Sequence, residues 1–248
     1  MFNFFADETA KQNSKYIIEG NDYNHIKNVL RMECGDRCLI SCGGKSDLCE
    51  IESLTDSSVI LEILEENYTD TELPVKIYLF QGLPKGDKME YIIQKCVELG
   101  VYAIMPTEMK HCIVKLDNKK AAAKRTRWQS ISESAAKQSK RNIIPEILEV
   151  TPYSKALEFA KMLDLILVPY ENEEGMRATA EALEKLRNVK SVGIFIGPEG
   201  GFEKAEIQKA LNCDAKVISL GKRILRTETA AITAVGLAML NIELGSNQ

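Results

Sequence analysis

The chain has 248 residues, 45% of them hydrophobic, and 32 Lys and Arg against 36 Asp and Glu give a net charge of −4. Enough apolar material is present for one large or two modest cores, so this is an ordinary globular protein. Met1 to Gln12 reaches Asp7 and Glu8 too early for a signal peptide, and the longest mostly apolar run, Thr229 to Ile242, falls short of the ~18–20 residues of a membrane span, so a cytoplasmic protein is expected.

Short strand-like segments come first: Phe2 to Phe5, Tyr16 to Glu19, Arg37 to Cys42, Leu48 to Leu54 and Ser58 to Leu64, separated by turn residues such as Gly43-Gly44. One helix interrupts them, opened by Asn21 or Asp22, with Ile26, Val29 and Leu30 as its buried stripe and Gly35-Asp36 as its end. The pattern predicts a small, mostly antiparallel, barrel-like domain. Cys34, Cys38, Cys42 and Cys49 crowd near His25, but C-x3-C-x3-C-x6-C lacks the paired knuckles of a zinc site. In a reducing compartment they read as small buried apolar residues, and no metal is expected. Residues 1–73 hold 6 Lys and Arg against 15 Asp and Glu, a balance of −9; residues 74–248 carry +5. The polar stretch Asn67 to Pro74 reads as a linker.

From Val75 the rhythm changes. Apolar strands over Val75 to Gln81, Tyr102 to Pro106, Leu163 to Val168, Ser191 to Ile196 and Lys216 to Leu220 alternate with helices. In the first helix Met89, Ile92, Ile93, Cys96 and Val97 follow the i, i+3, i+4, i+7, i+8 pattern, with Gly100 as the stop. Others run over Asn118 to Ser139, Tyr153 to Lys161, Met176 to Arg187 and Glu203 to Leu211, and Thr227 to Leu244 closes the chain. Such alternation predicts an α/β domain with a parallel sheet, whose ligands sit at the C-terminal strand ends. Lys119 to Arg141 carries eight cations against the single Glu133, a balance that suits a polyanion better than a merely solvated face. The final helix is nearly free of charge from Thr229 to Asn241, which predicts burial on all sides, in a core or a subunit interface.

Three stretches carry candidate chemistry. Ile194 to Phe202 is a buried strand running into Gly197-Pro198-Glu199-Gly200-Gly201, where glycines let backbone groups approach a ligand; no G-x-G-x-x-G is present, and Gly44-Lys45-Ser46 is no P-loop. Leu220 to Ala230 contains Arg223 and Arg226 ahead of the last helix, with Thr227 placed as its N-cap and Glu228 at its positive end. Gln138-Ser139-Lys140-Arg141-Asn142 ends the basic helix.

Together with His25 to Arg31, Gly35-Asp36 and Gly82 to Gly100, these segments resemble the RsmE family of ribosomal RNA uracil-N3 methyltransferases, of the SPOUT superfamily, over nearly the whole chain. The resemblance implies a PUA-like RNA-binding β-barrel domain over residues 1–73 and a SPOUT α/β methyltransferase domain with a trefoil knot over 74–248. General chain rules alone would have rejected such a knot. It further implies a homodimer and an S-adenosylmethionine site formed by Val168, Pro169, Ile196, Gly197, Glu199, Gly200, Gly201, Leu220, Gly221, Ile224, Leu225, Arg226 and Thr229. The RNA, part of the small ribosomal subunit or its particle, is expected to contact His25, Lys27 and Arg31 on an otherwise acidic domain, and Lys119, Lys124, Arg125, Arg127 and Lys140 on the basic helix.

The implied chemistry asks little of the protein beyond alignment and exclusion of water. Uracil N3 becomes a nucleophile when its proton leaves, and the charge spreads onto O2 and O4, where a guanidinium would stabilise it. Arg226 is the first candidate and Arg141 the second; Glu228 is a candidate base, with a helix-terminal role as its alternative. N3 is occupied in a pair, so the target uridine is expected unpaired or flipped. The competing readings are a SPOUT methyltransferase with another RNA target, a non-catalytic RNA-binding ribosome-assembly protein, and a nicotinamide-dependent oxidoreductase, the last weakened by the missing dinucleotide fingerprint.

Overall fold

The computed structural model of the chain describes residues 1–171 and 175–246. It divides into two compact units, Met1–Glu72 with Ala136–Ile144, and Leu73–Ala135 with Pro145–Gln248.

The first unit is built on strands β1 (Phe2–Phe5), β2 (Lys11–Gln12), β3 (Lys15–Glu19), β4 (Arg37–Cys42), β5 (Lys45–Leu54) and β6 (Ser58–Thr69), with a short helix α1 (Gly20–Asn24). They form one sheet in the order β1-β4-β5-β6-β3-β2, antiparallel throughout except for the parallel pair β1 and β4. Alternation drives the sheet: Tyr16 and Ile18, Cys38 and Ile40, Cys49 and Ile51, Val59 and Leu61 all turn into one buried cluster. Gly43 and Gly44, both at positive φ, close the β4–β5 hairpin in two residues. Cys38 and Cys49 sit opposite each other in register, and burial pushes the Cys38 thiol up to about 12. Among the described residues, no group of three or more His, Cys, Asp or Glu gathers to hold a metal ion.

One expectation in this unit fails. The chain leaves α1 through a π turn at His25–Val29, where the Leu30 amide reaches back five residues to the His25 carbonyl at 2.9 Å. That wider turn keeps Ile26 fully buried but swings Val29 outward to 63% exposure.

The second unit contains strands β7 (Lys76–Gly82), β8 (Ala103–Glu108), β9 (Glu146–Ile147), β10 (Thr151–Pro152), β11 (Leu165–Pro169), β12 (Ser191–Ile196) and β13 (Lys216–Ile218). Between and after them lie α2 (Lys88–Glu98), α3 (Asn118–Gln138, its last turn from Ala136 belonging to the first unit), α4 (Tyr153–Ala160), α5 (Arg177–Leu186), α6 (Lys204–Leu211) and α7 (Thr227–Ser246). The sheet order is β10-β8-β7-β12-β11-β13, with β9 also on β8, and every pair is parallel. In its centre the Phe80 and Phe195 rings stack at 4.2 Å, and Gly193 leaves the space, since a Cβ there would lie 2.9 Å from the Phe80 ring. All five apolar positions of the α2 pattern are buried. In the final helix α7, expected to be buried in a core or a subunit interface, Ala231, Ala234, Val235, Ala238 and Ile242 face inward within the chain, while Leu240 and Leu244 are 55% and 65% exposed. No helix among the described residues is long and apolar enough to cross a membrane.

The stretch read as a linker is a clasp. Strand β6 continues to Thr69, and beyond it Glu72 holds the segment that follows α3. One Glu72 oxygen accepts from Arg141 Nε at 2.9 Å, the Asn142 amide at 2.9 Å and the Ile143 amide at 3.3 Å, and the other takes the Arg141 guanidinium. Asn142 in turn donates to the Thr69 carbonyl and accepts from Thr71, and the Arg141 carbonyl accepts from Asn3 and Ser41. The first unit is therefore discontinuous in sequence, unlike the expected 1–73. With Arg141 3% exposed, Glu72→Gln removes the carboxylate charge from a buried ion pair and is expected to destabilise the protein by about 3 kcal/mol. Urea unfolding of the two proteins measures the difference.

Candidate active site

Strands β11, β12 and β13 are neighbours or share β11, and their C-terminal ends release three loops around one cavity of about 750 Å³. Pro169, Tyr170, Glu171, Gly175 and Met176 lie at and after the end of β11, Gly197 to Phe202 follow β12, and Ser219 to Arg226 follow β13. The sheet fixes this position, because parallel strands all open their loops at the same edge.

Three contacts shape the loops. Gly82 meets Pro198 so closely that a Cβ on it would lie 2.7 Å from the Pro198 nitrogen, which seats the glycine loop on the end of β7. Thr227, 5% exposed, donates its hydroxyl to the Gly197 carbonyl at 2.7 Å and accepts from Gln81 Nε2 at 2.9 Å. The expected N-cap role of Thr227 is thus replaced: as the first residue of α7, it turns its side chain to the glycine loop instead of its own helix. On the other side Thr179 of α5 donates to the Ser219 carbonyl and accepts from the Ser219 amide, at 2.8 and 3.0 Å. Gly201 and Gly221, at φ +67° and +105°, make the turns that expose backbone to the cavity.

Of the expected cofactor residues, Pro169, Ile196, Gly197, Glu199, Gly201, Leu220, Gly221, Ile224, Leu225 and Arg226 line the cavity. Val168, Gly200 and Thr229 do not. Val168 is wholly buried in β11, and Gly200 faces His111, whose Nδ1 lies 2.9 Å from the Gly200 carbonyl and whose Cβ would be 2.8 Å from any Cβ placed there. Gly200 is needed for that close approach rather than for the cavity wall.

Charge in the cavity is organised around a residue the sequence did not single out. Lys88, at the start of α2, lines the wall with its ammonium 2.9 Å from Glu199 Oε1 and 3.5 Å from Glu228 Oε2. Glu199 also accepts the Lys85 amide at 3.0 Å. Burial pulls the Glu199 carboxyl upward, but the Lys88 and Lys85 hydrogen bonds outweigh it and hold the group below its ordinary value; the same bond to Glu199 raises Lys88. Glu228 is only 17% exposed in its side chain, and no hydrogen bond from the described residues reaches its buried Oε2. Arg226 is exposed on the wall, and among the described residues nothing pairs with its guanidinium.

The remaining expected residues lie elsewhere. Arg141 is buried in the first unit on Glu72. Arg125 donates to the Ile147 carbonyl and pairs with Glu146, and Arg127 pairs with Glu90 at 2.7 Å. Lys119 and Lys124 have no partner among the described residues. In the first unit Lys27 donates to Tyr23 and to the Thr55 carbonyl, His25 packs edge-on against Phe4, and Arg31 and Lys140 are exposed at positive φ.

A parallel α/β domain with a glycine-lined cavity at its strand ends, preceded by a six-stranded β unit, matches two family models: an RNA methyltransferase domain over residues 71–239 and an RNA methyltransferase PUA domain over residues 18–64. The chain is 38% identical to the ribosomal RNA small subunit methyltransferase E of Bacillus subtilis, over 98% of both chains, and 34% identical to that of Mesomycoplasma hyopneumoniae, over 94% of this chain and 96% of the relative. A crystal structure of the same enzyme from Neisseria gonorrhoeae bound to S-adenosylmethionine superposes with a TM-score of 0.81 at 34% identity, covering 95% of each chain. The chain belongs to the ribosomal RNA small subunit methyltransferase E family.

Because the folded protein holds Glu199 ionised, the Glu199 bonds stabilise fully above the ordinary carboxyl value of 4.5, and this contribution fades as pH falls through the lower folded-state value. Glu199→Gln is expected to lower the melting temperature near neutrality, with the gap to the parent closing in acid. Parallel melting curves across pH check this; a gap that is constant with pH contradicts it.

Proposed function

We propose that the protein transfers the methyl group of S-adenosylmethionine to N3 of a uridine in small-subunit ribosomal RNA. The observation that carries the reading is the cavity at the ends of β11, β12 and β13, within a chain belonging to this family. Its volume suits a nucleoside-sized ligand, and its walls come from three loops that include Gly197, Gly201 and Gly221, where main chain can approach a ligand. S-adenosylmethionine supplies an activated methyl group, so the chain's residues have the tasks of holding, orienting and excluding water. Ile196, Gly197, Leu220 and Leu225 would hold the cofactor, with Gly201 and Gly221 shaping the backbone around it. The C-terminal segment is read as threaded into a trefoil knot, a reading supported by its ties to α5 through Thr179 and to the glycine loop through Thr227.

Arg226 is the group proposed to meet the charge that develops on uracil O2 and O4, because it lies on the cavity wall and no described residue pairs with it. Arg141 would first have to leave Glu72, which makes it the weaker candidate. Glu228, a carboxylate accepting no hydrogen bond from the described residues, is the proposed acceptor of the N3 proton. Lys119 and Lys124 are proposed to bind RNA phosphates, with a smaller part for the already paired Arg125 and Arg127. Nucleoside mass spectrometry of small-subunit RNA incubated with enzyme and cofactor tests the whole reading; methylation at another atom, or none, overturns it. Arg226→Ala is expected to lower the single-turnover rate at saturating RNA by about 10²-fold or more, ~3 kcal/mol. Neutralising Lys119 and Lys124 should instead weaken RNA binding and reduce its salt slope by about one unit per lost contact.

The homodimer is proposed to form on α7. Thr233, Leu237, Leu240 and Leu244 follow a 4-3-4 spacing along the face away from the core, an apolar seam suited to a second copy. Leu240→Lys should give a folded monomer in sedimentation, whereas Ala234, 5% exposed, belongs to the protomer's own core and its replacement should unfold it. A parent protein that sediments as a monomer removes the proposal.

A further inference from the structure

We propose that Lys88 is a positioning residue for the methyl transfer, its ammonium joining Glu199 of the glycine loop to Glu228 of α7 so that the Glu228 carboxylate is held where it can take the N3 proton. The inference rests on the functional reading above and adds to it the residue that makes the base usable.

The geometry is specific. Glu228 sits in the first turn of α7, where a carboxylate ordinarily accepts backbone N–H groups of its own helix. Among the described residues no N–H bonds to its Oε2, which is buried, and the Lys88 ammonium lies 3.5 Å away. Lys88 in turn is anchored at 2.9 Å by Glu199, which the Lys85 amide fixes from behind. Three separate segments, the start of α2, the glycine loop and the start of α7, therefore meet at one ammonium. Two carboxylates this close repel each other, and the cation between them offsets that repulsion and sets the direction of the Glu228 side chain. A lone structural salt bridge would need one carboxylate; the second, held by the same ammonium between Thr227 and Ala230, which line the cavity, is what points to proton transfer. In the step itself the N3–H proton passes to the Glu228 carboxylate and the N3 electron pair forms the new N–C bond. The carbon–sulfur bond of the donor breaks, its electron pair staying on sulfur.

The test uses small-subunit RNA transcribed with uridine or entirely with 5-fluorouridine, each assembled with small-subunit proteins. Fluorine makes N3 more acidic, so the second substrate needs less help in losing its proton. On uridine RNA, Lys88→Met and Glu228→Gln should each lower the single-turnover rate by about 10²-fold, the scale of general-base catalysis. On 5-fluorouridine RNA the loss should shrink at least tenfold, and Lys88→Arg, which can still bridge two carboxylates, should keep most activity on both. S-adenosylmethionine affinity by calorimetry should change less than the rate does. An equal loss on both RNAs, or a loss seen only in cofactor affinity, would show that Lys88 merely braces the loop and would overturn the inference. Parent enzyme that methylates neither RNA overturns the functional reading itself, a distinct result.

Discussion

The hydroxyl of Thr227 is the point on which the second unit's site depends. It is buried, it donates to Gly197 and it accepts from Gln81, so the end of β7, the loop after β12 and the beginning of α7 are fixed by one side chain. The sheet alone would bring these segments to the same edge; it would not set their spacing to within a hydrogen bond. Gly82 completes the arrangement by admitting Pro198 at a distance that any side chain would forbid. Loop main chain on a cavity wall has to be held this firmly if it is to meet a ligand, because backbone groups have no rotamers with which to adapt.

Charge at the cavity follows a similar economy. Lys88, Glu199 and Glu228 neutralise one another in part, whereas among the described residues nothing pairs with Arg226, the state that the proposed task of meeting charge during reaction calls for. The basic helix α3 divides in the same way. Arg125 and Arg127 are engaged by Glu146 and Glu90, and Lys119 and Lys124 remain available to a polyanion, so the eight cations counted in the sequence overstate the cationic surface.

Much of the α/β unit was legible because periodicity reports burial directly: Met89, Ile92, Ile93, Cys96 and Val97 are all buried, as their spacing requires. The motif Gly197 to Gly201 was legible as a turn at a strand end, where the cavity lies, but the distinct tasks of its glycines were not, since Gly200 answers to His111, a residue distant in sequence. Val29 was misplaced because a π turn changes the angular step that the pattern assumes. The apolar composition of α7 pointed to a core or a subunit interface without saying which of its faces the chain itself would cover, and the inward face is the one built on Ala231, Ala234, Val235, Ala238 and Ile242. Lys88 gave no signal, as a lysine at a helix start is unremarkable until its two carboxylate partners, more than a hundred residues away, are brought beside it.

The clasp at Glu72 also bears on how the molecule comes into being. Synthesis releases the six strands of the first unit well before Arg141 and Asn142 emerge, and at about 5–20 residues per second the delay is several seconds. During that time Glu72, Asn3 and Ser41 lack the groups that later satisfy them. Completion of this unit waits for α3, the helix that runs out of the other unit. Two regions that look separable on a linear map are therefore obliged to mature in concert, and a gene fragment cut between them would encode a sheet without its keystone.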